Sequence, residues 1–197
     1  MPVLEQTALR LAQGRILDVG AGSGCHSLAL MEMGKDVMAI DISPLAVNVM
    51  LDKDIDACQI NLYDEKFKET FDTVLMLMNG SGIIGRLENM QTFFKKMKQI
   101  LAPGGCVLMD SSDLRYLYED EDGSFEIDLA DDYYGLLDYQ MEYVPFNKKA
   151  SVLGKPFDWL YIDFDTLSYY AEQNGFKAEL LAEGEHYDYL ARLTAQN

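Results

Sequence analysis

Several polar residues stand where apolar runs end, and their types suggest a binding site. The first group is "LDVGAGSG", Leu17 to Gly24, with glycines at alternate positions 20, 22 and 24. Glycines at such a turn let the backbone pass close to a ligand. The dinucleotide fingerprint is G-x-G-x-x-G. Here Gly24 arrives one residue early, and Cys25 stands where the last glycine should be. Asp18 lies two residues before the first glycine. A carboxylate aimed into this turn repels a pyrophosphate and suits a primary ammonium. Asp41 closes a second apolar run, "KDVMAID", and offers acceptors for a ribose diol. Asn61 closes a third run, Asn79-Gly80 a fourth, and Ser111 to Asp113 a fifth.

Strands ending at these residues place them on one edge of a sheet. "GRILDVG", "KDVMAID", "ACQIN", "FDTVLMLMN" and "CVLMDSS" read as strands. Between them lie helical patterns. "CHSLALMEMG" is ended by Gly34, and Ser43-Pro44 is a cap followed by proline at the first helical position. Met90, Phe93, Phe94, Met97, Ile100 and Leu101 repeat at helical spacing before Pro103-Gly104-Gly105. A short amphipathic helix, with Gly14 placed to end it, precedes the first strand. Strand–helix–strand units imply a parallel sheet with helices on both faces. In such sheets ligands sit beyond the carboxyl ends of the strands, at the topological switch point.

The second half is strand-rich. Leu114 to Asp120 and Ser124 to Leu129 alternate around Asp122-Gly123, a hairpin turn pair. "YYGLLDYQMEYV" and "PFDWLYIDF" supply two more antiparallel strands, and Asp165 caps the helix "TLSYYAEQNG", ended by Gly175. "FKAELLAEG" and "YDYLARLT" close the chain as strands whose short link permits only an antiparallel pair. The expectation is one domain over residues 1–197, with an insertion at about 114–157.

A ligand with a ribose and an ammonium but no phosphate is S-adenosyl-L-methionine, which the Asp18 and Gly24 spacing favours over NAD. "LDVGAGSG" resembles motif I of the class I S-adenosylmethionine-dependent methyltransferases. "AIDIS", "FDTVLMLMNGSG", "LAPGGCVLMD" and the closing strand pair resemble later segments of that family. The resemblance runs from Gly14 to Thr194, outside the insertion. It implies a Rossmann-like seven-stranded sheet ordered 3-2-1-4-5-7-6, strand seven antiparallel. It also implies that Gly20, Ala21, Gly22 and Gly24 pass close to the methionine part of the cofactor while Asp18 holds its amino group. Asp41 then accepts from the ribose hydroxyls, Ile42 packs on the adenine, and Met78 and Asn79 lie beside the sulfonium. Where the family commonly has an acid reading the adenine amino group, this chain has Asn61, followed by Leu62.

Methyl transfer is an in-line displacement at an activated carbon, so alignment matters more than a catalytic dyad. The candidates for a base or an acceptor contact are His186, Asp113 and Asn79; His26 reads as a packing or capping residue. The expected acceptor is a small molecule presenting an N or O nucleophile. The tyrosines of the insertion, with Trp159, either wall a cationic or aromatic substrate or pack the insertion, including as a homodimer contact. A non-catalytic cofactor-binding partner subunit is the competing function, and an NAD-dependent oxidoreductase a third.

The net charge of −17 argues against nucleic acid and against an anionic membrane surface. Two histidines and three scattered cysteines offer no metal cluster, and the calcium-loop reading of Glu119 to Asp122 with Glu126 and Asp128 lacks most of its pattern. With no signal pattern at the N-terminus, the cytoplasm is the expected compartment.

Overall fold

The computed structural model describes residues 1–120, 122, 124, 132–146 and 151–196. Five strands follow one another with helices between: β1 (Arg15–Val19), β2 (Asp36–Asp41), β3 (Ala57–Gln59), β4 (Phe71–Met76) and β5 (Leu101–Ser112). The helices are α1 (Val3–Leu11), α2 (Cys25–Glu32), α3 (Pro44–Leu51) and α4 (Met90–Ile100). After β5 come β6 (Leu136–Tyr139), β7 (Glu142–Tyr143), β8 (Val152–Leu153), β9 (Phe157–Leu160), α5 (Phe164–Gln173), β10 (Phe176–Glu183) and β11 (Asp188–Ala195).

The main sheet runs β3-β2-β1-β4-β5-β11-β10, which is the expected order 3-2-1-4-5-7-6. β1 to β5 are parallel, whereas β11 is antiparallel to both β5 and β10. Alternate residues of the strands feed two cores. Leu17, Val19, Val74 and Met76 pack with Phe93, Phe94 and Met97 of α4 and Leu167 of α5. Ile16, Val37, Leu75 and Leu108 pack on the other face with Leu4, Ala8 and Leu9 of α1 and Leu30 of α2. Asp18 shares the parity of Ile16, so its side chain leaves β1 on the α2 face, where Ser27 receives it.

Ser43 caps α3 as expected, its Oγ accepting from Ala46 N. Three expectations change. The cap of α5 is Asp163, whose carboxylate accepts from Thr166 N, so Asp165 falls in the first turn. Gly14 does not end α1. Its positive φ of 64° lets the chain pass Asp72, whose carboxylate would collide with any Cβ there. Leu114–Tyr118 is a 3-10 turn capped by Asp113, not a strand. The hairpin turn at Asp122-Gly123 and its second arm lie largely outside the described residues.

The two strands expected in the insertion do form, as the antiparallel pair β6–β9. A second small pair, β7–β8, was not expected. No helix of the described residues is long and apolar enough to cross a membrane.

Candidate active site

A cavity of about 660 Å³ opens over the carboxyl ends of β1, β2 and β4, where the strand order reverses. That volume suits a cofactor-sized ligand. Gly20, Gly22 and Gly24 all have positive φ, at 69°, 57° and 80°. Their neighbours separate their uses. A Cβ on Gly20 would meet Ile83 at 2.8 Å, and one on Gly24 would meet Ile55 at 2.5 Å. Around Gly22 there is nothing within 4 Å, so this turn turns its open side to the cavity.

Asp41 ties that turn to the end of β2. One carboxylate oxygen accepts Gly22 N at 2.8 Å and the other accepts Ser43 N at 2.8 Å. Each oxygen keeps a further acceptor site. Asp18 is buried and accepts the Ser27 hydroxyl at 2.6 Å. Burial pushes its carboxyl above the ordinary range, while the Ser27 hydrogen bond and nearby His26 pull it back. His26 lines the cavity and pairs through Nε2 with Glu5 of α1 at 3.0 Å. Apolar Ile42, Ile60 and Leu62 form the far wall. Ile42 is 70% exposed and Met78 67%, so both offer surface that a ligand could cover.

The deciding observation is a whole-chain likeness to a solved structure. An S-adenosylmethionine-dependent methyltransferase from Bacteroides fragilis, in complex with S-adenosyl-L-homocysteine, is 66% identical and has a TM-score of 0.91. The match covers 100% of this chain and 78% of that one. The chain belongs to the S-adenosylmethionine-dependent methyltransferases. A family model described as a methyltransferase domain matches residues 17–109 of the chain. Cypemycin N-terminal methyltransferase of a Streptomyces species is 32% identical over 102 residues, 50% of this chain and 42% of the relative. The human mitochondrial ubiquinone biosynthesis O-methyltransferase is 31% identical over 108 residues, 48% of this chain and 28% of the relative. The chain thus spans less than half the length of either curated relative. Between the two cofactors that the glycine turn left open, this membership selects S-adenosyl-L-methionine.

The methyltransferase's cavity brings together all but two of the expected cofactor residues: Asp18, Gly20, Ala21, Gly22, Asp41, Ile42, Asn61, Leu62 and Met78. Gly24 sits behind it as the residue preceding α2. Asn79 is turned aside, its Oδ1 accepting the Ser112 hydroxyl at 2.9 Å. Asn61 uses its side-chain carbonyl on Tyr63 N at 2.9 Å, closing a local turn.

The other two candidates lie elsewhere. His186 is exposed in the β10–β11 link and lines neither the cavity nor the neighbouring groove. Asp113 pairs with Arg115 at 2.7 Å and accepts the Tyr134 hydroxyl at 2.9 Å. It lines a second, open groove of about 470 Å³ beyond the ends of β5 and β11. There it joins Asp163, Asp165, Glu183, Glu185 and Asp188, with Arg115 the cation among the lining residues. Burial opposes ionisation of Asp163, but hydrogen bonds from Thr166 and Tyr133 outweigh it and hold the carboxyl below its ordinary value.

Sequence reasoning missed how the insertion is anchored. Ser81, after β4, lies 2.8 Å from Ser111 Oγ and 2.7 Å from Leu160 O of β9. Ser111 also accepts Ile162 N at 2.9 Å. Arg86 grips Asp158 of β9 at 2.5 Å. These ties lay Trp159 against Gly82, where the indole borders the cavity.

Proposed function

We propose that this methyltransferase carries the methyl group of S-adenosyl-L-methionine to an N or O nucleophile of a small-molecule acceptor, an amine in preference. The chain acts as one unit, with the β6–β9 pair covering the acceptor side through Trp159. Asp18 takes the cofactor's ammonium, the Gly20–Gly22 backbone its methionine chain, and Asp41 its ribose hydroxyls. Ile42, Ile60 and Leu62 flank the adenine. The donor set supports this placement: two carboxylates meet a cation and a diol, while apolar walls meet the base.

Bound there, the cofactor would supply an activated methyl carbon, its sulfur keeping the electron pair of the broken bond, and the acceptor would give up its proton to solvent. Residues of the chain align the nucleophile and exclude water, which are the larger contributions in such a displacement.

The observation that carries the amine preference is the acidic groove beside the strand ends. Six carboxylates and one guanidinium line it, which attracts a cationic acceptor over long range. A relative named for N-terminal methylation supports the same reading. Three free cysteines suit the expected cytoplasmic setting.

The test is release of S-adenosylhomocysteine from S-adenosylmethionine with matched panels of small amines, alcohols and phenols. Release with amines supports the proposal, and turnover with hydroxyl acceptors alone removes the amine preference. Tight cofactor binding without turnover on any acceptor points instead to a non-catalytic partner subunit.

A further inference from the structure

Near its end β5 carries a buried carboxylate that does not line the cavity over β1, β2 and β4. Leu108 and Met109 before it are fully buried, and Asp110 itself is only 8% exposed. Its hydrogen-bond partners are backbone N–H groups of the turn after β4, Met78 N on one oxygen and Gly80 N on the other, both at 3.1 Å. These two amides bracket an unusual piece of chain. Met78 and Asn79 are consecutive non-glycine residues with φ of 65° and 56°. Side chains disfavour that region, Met more than Asn. Besides the Ser112 hydroxyl on Asn79, the turn is held from outside by Asp110. Gly80 cannot take up the slack with a side chain, because a Cβ would lie 2.7 Å from that of Met76.

We propose that Asp110 is a positioning residue for the methyl transfer: its carboxylate holds the Met78–Asn79 turn left-handed, so that Met78 is presented to the cofactor. The proposal rests on the cofactor placement given above. Two N–H donors converging on two oxygens call for a carboxylate. An amide of the same shape would set its own NH2 against one of them. Protonation has a related effect, since one oxygen then carries a hydrogen. Burial pushes the Asp110 carboxyl up to about 6, and Glu5 of α1 adds to the rise, while the turn's amides oppose it. Tyr189 of β11 also lies within reach of its charge, which helps keep that phenol protonated.

The experiment measures calorimetric affinity for S-adenosylhomocysteine in the whole chain, in Asp110→Asn and in Asp110→Asn/Asn79→Gly. Glycine accepts the left-handed region without a side-chain penalty, so it should replace the missing restraint. The expected result is at least a tenfold loss in the single variant, with most of it recovered in the double. Affinity within twofold of the unaltered chain, or a loss that glycine does not recover, overturns the proposal.

A second measurement serves if Asp110→Asn does not fold. 5′-Methylthioadenosine has no amino-acid group for Asp18 to hold, so its binding reports on the turn. Its affinity for the unaltered chain should fall as pH drops from about 7.5 to 5.5 around the raised carboxyl, and a flat profile overturns the proposal. Failure of the unaltered chain to bind S-adenosylhomocysteine at any pH sinks the cofactor placement as well, whereas the other adverse results sink this inference alone.

Discussion

Gly82 is the position where one added carbon tests how β9 meets the cavity. It lies in the 3-10 turn Gly80–Ile84, with the Trp159 indole pressed against it. In Gly82→Ala the new Cβ would stand 2.0 Å from Cε2, 2.2 Å from Nε1 and 2.3 Å from Cδ2 of that ring. Carbon atoms rest about 3.5–4 Å apart, so the indole must retreat by more than ~1 Å. Gly82 is not among the residues with positive φ, which makes the conflict purely steric. Retreat is opposed by the Ser81 tie to Leu160 and the Arg86 tie to Asp158 on either side of the indole.

Overpacking of this kind costs about 1–3 kcal/mol. Denaturant unfolding followed by circular dichroism should therefore show a loss of that size. Trp159 is the chain's one tryptophan, so its fluorescence reports directly on the displaced ring. Because the indole borders the cavity, affinity for S-adenosylhomocysteine should fall too. In a Trp159→Leu background the same alanine should cost less than about 0.5 kcal/mol, because the colliding ring is gone. An equal penalty in both backgrounds, or none in either, refutes the contact and the placement of β9 over the cavity that is proposed from it.

Two further outcomes are expected. Asp41→Asn should weaken S-adenosylhomocysteine binding by about 1.5–3 kcal/mol, the range for hydrogen bonds to a charged group. Calorimetry on the folded variant checks this, and unchanged affinity removes the ribose placement. Asp110 should make stability fall as pH rises. Its carboxyl moves from 3.8 to about 6 on folding, so the native state binds the proton more tightly. The contribution is full below about pH 4, is lost through about pH 6, and amounts to about 3 kcal/mol. The pH dependence of unfolding free energy, measured against Asp110→Asn, should differ with that sign over this window. Curves that run parallel show that the group does not titrate there.

The strands and helices that position the cavity were legible because their signals are short-range. Alternation in "GRILDVG", the Ser43-Pro44 cap and the repeat from Met90 to Leu101 each act within a dozen residues. The tight β10–β11 link demanded a reversed strand before any sheet was seen. Asp18 and Asp41, singled out as carboxylates near strand ends, both line the cavity. The insertion was less legible. Its alternation from Leu114 suggested a strand, yet Asp113 accepting Arg115 N starts a 3-10 turn there. At α5 the expected cap, Asp165, falls in the first turn, and Asp163 accepts Thr166 N in its place.

What the sequence alone determined is the element order, the switch point and the chemistry of a ligand with an ammonium and a diol. The tertiary structure decided which residues share the site. Asp110 reaches the β4 turn across 30 residues, and Ser81 reaches Leu160 across 79. His186 and Asp113 sit at strand-end positions in the sequence, but the sheet carries them away from the cavity over β1, β2 and β4. Pairings over such separations depend on the packing of elements whose local patterns say nothing about one another. Only the folded chain brings them within hydrogen-bond distance.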